Sequence, residues 1–112
     1  MAKVAIITGA GQGIGKACAE KIANKGNNIV SADLNFELAQ KTGDEIAQKY
    51  NVETLAVKVD VSDNNSVLEM VLKTVERFGT VDILINNAGI CKSIKPFEEV
   101  DDDEWDLILG IN

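Results

Sequence analysis

Apolar residues along this chain fall into two alternating patterns. Four short runs, Val4–Thr8, Ile29–Asp33, Leu55–Asp60 and Val81–Asn86, have strand length and are apolar at successive positions. A strand reads that way when both of its faces are covered, as in a parallel sheet. Helical spacing fills the gaps between the runs. The first such segment, Gly13–Lys25, is expected to turn Ile14, Ala17, Cys18 and Ile22 toward the sheet and to end at Gly26. A second, Phe36–Tyr50, repeats Ala39, Ile46 and Tyr50 at helical intervals. The third, Asp63–Phe78, is expected to bury Val67, Met70, Val71, Val75 and Phe78, with Ser62 as its N-cap and Gly79 as its stop. A fourth pattern starts near Asp102 and aligns Trp105, Ile108 and Leu109.

Strand–helix alternation of this kind predicts an α/β domain with a doubly wound parallel sheet in the order 3-2-1-4, joined by right-handed crossovers. Such sheets bind ligands beyond the carboxyl ends of their strands, so the chemistry is sought in the residues just after each run.

Composition narrows the partners. At 112 residues the chain is one domain with 46% hydrophobic and 26% charged residues, as in a soluble globular protein. Its net charge of −7, from 18 acidic and 11 basic residues with no basic stripe, argues against nucleic acid and anionic membrane as partners. No apolar run approaches the roughly 20 residues of a membrane span. Met1-Ala2-Lys3 leads directly into the first strand, so no signal peptide is read and a cytoplasmic location is expected. There is no histidine, and Cys18 and Cys91 form no Cys-x-x-Cys pair, which speaks against zinc and thiol redox chemistry. Cys18 is expected to pack as a small hydrophobe, and Cys91 to lie in a loop beside the active edge. The acidic run from Glu98 to Glu104 lacks calcium-loop spacing and precedes a helical pattern that suits carboxylates. No metal site is expected.

Each strand end carries a signal. After the first comes Thr8-Gly9-Ala10-Gly11-Gln12-Gly13-Ile14-Gly15. A strand turning through glycines into a helix presents backbone N–H groups and the positive end of a dipole, which suits a pyrophosphate. The G-x-G-x-x-G register fails here, and Gly9-x-x-x-Gly13-x-Gly15 fits instead. Gly9, Gln12, Gly13, Ile14 and Gly15 are therefore the candidate phosphate-loop residues. Asp33, at the second strand end, lies 20 residues after Gly13, the spacing of an acid that accepts from adenosine ribose hydroxyls. Its carboxylate would repel a 2′-phosphate, and Leu34-Asn35 brings no arginine, so NAD(H) is favoured over NADP(H). Asp60-Val61 ends the third strand, and Asn86-Asn87-Ala88-Gly89 the fourth. Taken singly, Asp33 could be a helix cap, Asp60 a turn residue and the asparagines a turn.

Together the glycine loop and Asn86-Asn87-Ala88-Gly89 resemble the short-chain dehydrogenase/reductase family, and the resemblance runs along essentially the whole chain. It implies a Rossmann-like domain over residues 1–112 that is the N-terminal half of a longer dehydrogenase. Asp60 and Val61 would then hold the adenine, and Asn87, Ala88 and Gly89 would border the cofactor ribose. Asn112 matches the asparagine of the family's catalytic tetrad, which holds a water beside a lysine. The other three, a Ser and a Tyr-x-x-x-Lys pair, are absent: Tyr50 is the only tyrosine, and Thr54 stands four residues after it. The implied activity is hydride transfer between nicotinamide and a secondary alcohol or ketone, in a full-length homodimer or homotetramer. This chain alone is expected to be inactive. Its alternative is a non-catalytic dinucleotide-binding module. A receiver-like or flavodoxin-like domain fits poorly, because Thr8-Gly9 stands where a receiver has paired acids.

Overall fold

A computed structural model describes residues 2–86 of the chain. Within them the order is β1 (Val4–Thr8), α1 (Gly13–Ala23), β2 (Asn28–Asp33), α2 (Phe36–Tyr50), β3 (Thr54–Lys58), α3 (Asn64–Phe78) and β4 (Ile83–Ile85). The strands form one parallel sheet in the order β3-β2-β1-β4, as the alternation predicts. β1 pairs with β2 from Val4 opposite Asn28 to Thr8 opposite Ala32, and with β4 from Ala5 opposite Ile83 to Ile7 opposite Ile85.

Alternation along the strands divides the core in two. Ala5, Ile7, Ile29, Ile83 and Ile85 face α1 and α2, meeting Ala19, Ile22, Ala23 and Ile46. Val4, Ile6, Val30, Ala32, Val57 and Val59 face the opposite side and meet Met70 of α3, with Val67, Val71 and Phe78 partly buried beside it. The change of side follows from the winding. β1 to β2 to β3 moves one way across the sheet, and β3 to β4 returns past β1, so a right-handed connection must lie on the other face. The reversal leaves a crevice above β1 and β4.

Several expected details differ. The sheet-facing side of α1 is Gly15, Ala19, Ile22 and Ala23, whereas Ile14 is 49% exposed and Ala17 is also exposed. Small residues at intervals of three and four let that helix lie close against the sheet, which turns Ile14 outward. Cys18 is half-buried against the same core. α3 is capped by Asp63, whose side chain accepts from the Asn65 N–H at 2.9 Å. Ser62 stands one residue before that cap, and its hydroxyl donates to Asp60 Oδ1 at 2.6 Å. Val75 is exposed together with Leu68 and Leu72, and the buried partner of Met70 on α3 is Thr74. β4 is shorter than its apolar run. Asp82 instead staples the start of β1, its N–H donating to the Val4 carbonyl and its carboxylate accepting from the Val4 N–H, each at 2.9 Å.

Lys16 on α1 and Glu45 on α2 form an ion pair of 3.0 Å across the helix-covered face. Lys16 holds the Glu45 carboxyl below its ordinary 4.5 by a hydrogen bond and by charge, and Glu45 holds the Lys16 ammonium above its ordinary 10.5 by the same two effects. The sign follows for each group. The Glu45 contribution is full above pH 4.5 and fades as pH falls through the lowered folded value; the Lys16 contribution is full below pH 10.5 and fades as pH rises through the raised one. We expect the stability difference between the natural protein and Glu45→Gln, read by urea denaturation, to stay constant between those limits and to shrink in molar salt. A difference that survives unchanged in strong acid would contradict this.

Candidate functional site

The carboxyl ends of all four strands meet at one cleft, lined by Thr8, Gly9, Asp33, Leu34, Val59, Asp60, Val61 and Asn86. Its volume is about 230 Å³. That is below the roughly 300 Å³ at which pockets enclosing a drug-sized ligand begin, so a long ligand would occupy it with one end only.

Its walls combine opposite characters. Leu34 and Val61 are large apolar residues left 63% and 45% exposed at the cleft, while Asp33 and Asp60 supply two carboxylates. Asp33 is firmly held. Its Oδ2 accepts from the Gly11 N–H at 2.9 Å and its Oδ1 from the Asn35 N–H at 3.0 Å. Asn35 in turn caps α2, accepting from the Leu38 N–H at 3.1 Å. Asp33 is therefore tied into the start of α2 without being its cap. Each carboxylate oxygen keeps capacity for a further donor from the cleft.

Asp60 does serve as a turn residue. Its Oδ1 accepts from both the hydroxyl and the N–H of Ser62, which hold its carboxyl below the usual range and keep it ionised. Its own N–H donates to Ser66 Oγ at 2.9 Å. This turn fixes Asp60 and Val61 at the cleft wall. Between β1 and β4, the Thr8 hydroxyl donates to Asn86 Oδ1 at 3.2 Å, with the Ile85 carbonyl 3.4 Å away.

Beside this cleft the chain leaves β1 through Gly9, at φ +66°, and enters α1 at Gly13, at φ +63°. α2 and α3 each begin under a capping side chain, but Gln12 at the start of α1 makes no side-chain cap, and the first turn of α1 contains no acidic residue. Among the described residues, a Cβ placed on Gly13 would meet nothing within 4 Å. Among these residues, the opening of α1 is thus a helix N-terminus without a side-chain cap and with open space beside Gly13, which suits an anion.

Of the residues singled out in the sequence, Gly9, Asp33, Asp60 and Val61 share the cleft. Gln12, Gly13 and Ile14 stand exposed at the start of α1, and Gly15 is buried against the sheet. Asn87, Ala88, Gly89, Asn112, Cys91 and the helical pattern from Asp102 lie outside the described residues. Leu34 and Val59 join the lining without having been proposed as site residues, and Thr8 and Asn86, named only as members of the two motifs, join it as well. Their signal was positional: each adjoins a strand end.

A sequence model described as short chain dehydrogenase matches residues 3–112. The chain belongs to the short-chain dehydrogenase family. Among its relatives, the short chain dehydrogenase/reductase astE of Aspergillus oryzae is 43% identical, over 98% of this chain and 42% of its own length. The 3beta-hydroxysteroid dehydrogenase 2 of Eggerthella lenta is 39% identical, over 98% and 42%. In three dimensions the chain is similar to the alcohol dehydrogenase of the archaeon Thermococcus sibiricus, solved with 5-hydroxy-NADP. The TM-score is 0.75 at 36% identity, covering 96% of this chain and 46% of the other. The chain therefore spans less than half the length of the relatives it matches. These relatives are oxidoreductases, and the shared fold is the Rossmann-like one. No helix among the described residues is long and apolar enough to cross a membrane.

Proposed function

We propose that this chain is the NAD(H)-binding part of a short-chain dehydrogenase that moves hydride between nicotinamide and a secondary alcohol or ketone. The observation that carries the reading is the convergence of Gly9, Asp33, Asp60 and Val61 on one cleft beside an uncapped helix N-terminus. The cofactor would lie with its pyrophosphate against the N–H groups from Gln12 to Gly15, its adenosine ribose on Asp33, and its adenine between Leu34 and Val61 with Asp60 at the exocyclic amine. Asn87, Ala88 and Gly89, which follow Asn86, would border the nicotinamide-side ribose, and Asn112 would hold the water of the proton relay. When bound, the nicotinamide supplies the hydride acceptor or donor. This chain's own residues bind and orient it.

Asp33 supports NAD(H) over NADP(H). A fixed carboxylate accepts from ribose hydroxyls and repels a 2′-phosphate at close range. The Thermococcus sibiricus enzyme was solved with an NADP derivative, so the shared fold does not itself exclude a 2′-phosphate, and the proposed choice lies in residues such as Asp33. Proton transfer needs the Ser and Tyr-x-x-x-Lys that are not among these 112 residues. A phenol of ordinary pKa near 10 is a poor base at neutrality without a neighbouring cation. The natural protein would supply that pair and assemble as a homodimer or homotetramer.

The test is calorimetric titration of the full natural protein with NAD and with NADP, alongside NADH formation from a panel of secondary alcohols. Tighter binding of NAD with turnover supports the proposal. Binding without turnover would favour the non-catalytic module, and absence of binding to either cofactor would overturn both.

A further inference from the structure

Gly11 is a glycine that the phosphate-loop spacing leaves unexplained, since Gly9-x-x-x-Gly13-x-Gly15 places it at an unrestricted position. The structure gives it two bonds at once. Its N–H donates to Asp33 Oδ2 at 2.9 Å, and its carbonyl accepts from the hydroxyl of Thr42 at 3.3 Å. Thr42 lies on α2 and is 1% exposed, so its hydroxyl has no water to turn to. The preceding residue is held as well, the Ala10 N–H donating to the Ala32 carbonyl at 3.0 Å. The segment between β1 and α1 is thus pinned to the end of β2 on one side and to α2 on the other.

There is no spare room. A Cβ on Gly11 would lie 2.8 Å from Asp33 Oδ2 and 2.7 Å from Leu38 Cβ. The Leu38 atom sits next to the α2 backbone and cannot swing away, so either the carboxylate or the helix would have to shift. With the Asn35 N–H on its other oxygen, Asp33 is gripped by two backbone donors that fix the direction of its charge.

We infer that Gly11 and Thr42 are positioning residues that fix the Asp33 carboxylate and thereby set the preference for an adenosine ribose with a free 2′-hydroxyl over one carrying a 2′-phosphate. The inference rests on the proposed role of Asp33 at the ribose. Immobility is what turns this carboxylate into a filter. A freely rotating side chain could turn aside for a phosphate, whereas a pinned one must be met at close range, and discrimination against a ligand needs such a repulsive element. Fixed donors also leave the remaining lone pairs aimed in one direction for the ribose hydroxyls, with no ordering cost at binding.

The experiment measures dissociation constants of NAD and NADP for the full natural protein and for Gly11→Ala, Thr42→Val and Thr42→Ser, with thermal denaturation to check folding. The natural protein is expected to favour NAD. Gly11→Ala is expected to lower the NAD-to-NADP affinity ratio by about tenfold, the scale of one hydrogen bond to a charged group. Thr42→Val should lower the ratio severalfold and Thr42→Ser should retain it. In an Asp33→Ala background, Gly11→Ala should leave the ratio unchanged, because the residue it acts through is gone. Should Gly11→Ala fail to fold, the Thr42 pair decides alone. Equal weakening of both cofactors, a Thr42→Ser variant as impaired as Thr42→Val, or a ratio change that persists without Asp33 would overturn the positioning role. If the natural protein does not favour NAD, the ribose reading of Asp33 falls and takes this inference with it; if it does and the variants keep its ratio, only the inference falls.

Discussion

Gly13→Ala is expected to weaken NAD binding by about a hundredfold while costing no more stability than the same change at Gly79. Both glycines adopt a left-handed backbone, at φ +63° and +86°, and at both an added Cβ meets nothing within 4 Å among the described residues. The conformational penalty is therefore shared, about 1–2 kcal/mol for an L-residue in that region. Their surroundings differ. Gly79 closes α3, its N–H donating to the Val75 carbonyl at 2.7 Å. Gly13 opens α1, whose first turn lacks a side-chain cap. A methyl group there projects into the space a pyrophosphate needs and holds it away from the first N–H groups of the helix. Losing two charge-assisted hydrogen bonds at roughly 1.5 kcal/mol each gives the expected factor. Denaturation curves and NAD titrations of the two variants check this. A Gly13→Ala protein that binds NAD as the natural one does would remove the phosphate loop from the account.

Asp33→Asn is expected to shift the NAD-to-NADP affinity ratio by about a hundredfold toward NADP. The change keeps one acceptor oxygen for either the Gly11 or the Asn35 N–H and removes the charge. Two unit charges about 4 Å apart near a protein surface interact by about 4 kcal/mol at an effective dielectric of 20. Asp33 is half-buried, and solvent screening reduces that figure to about 2–3 kcal/mol, equivalent to one to two powers of ten in affinity. The lost acceptor for ribose hydroxyls weakens NAD in addition. An unchanged ratio would mean that the ribose is read elsewhere.

What the sequence made legible follows from which physical signals are local. β1 and α2 have the limits that the apolar pattern implied, Val4–Thr8 and Phe36–Tyr50. The first is a run buried on both faces, and the second is a long amphipathic repeat. The strand order could be stated because handedness and strand–helix alternation leave few windings. On α1 the apolar pattern holds for Ile22 and Cys18, which lie against the core, but not for Ile14 or Ala17, since hydrophobicity alone selects Ile14, whereas close approach to the sheet selects Gly15, Ala19 and Ala23. Ser62 and Asp63 are both ordinary caps by type. Only the structure shows that the Ser62 hydroxyl is committed to Asp60.

The site divides in the same way. Gly9, Asp33, Asp60 and Val61 each follow a strand, so topology alone was enough to gather them at one edge. The role of Gly11 was hidden because its bonds run to Asp33 and Thr42, residues 22 and 31 positions away. Exposed Leu34 was equally silent, as nothing in its sequence context separates a cleft wall from any surface leucine.

Co-crystallisation of the full natural protein with NAD tests the central claim most directly. The account expects the adenosine ribose hydroxyls about 3 Å from the Asp33 carboxylate, the pyrophosphate on the N–H groups that open α1, and the adenine between Leu34 and Val61. A cofactor bound with its adenosine away from Asp33, or at any other edge of the sheet, would contradict it.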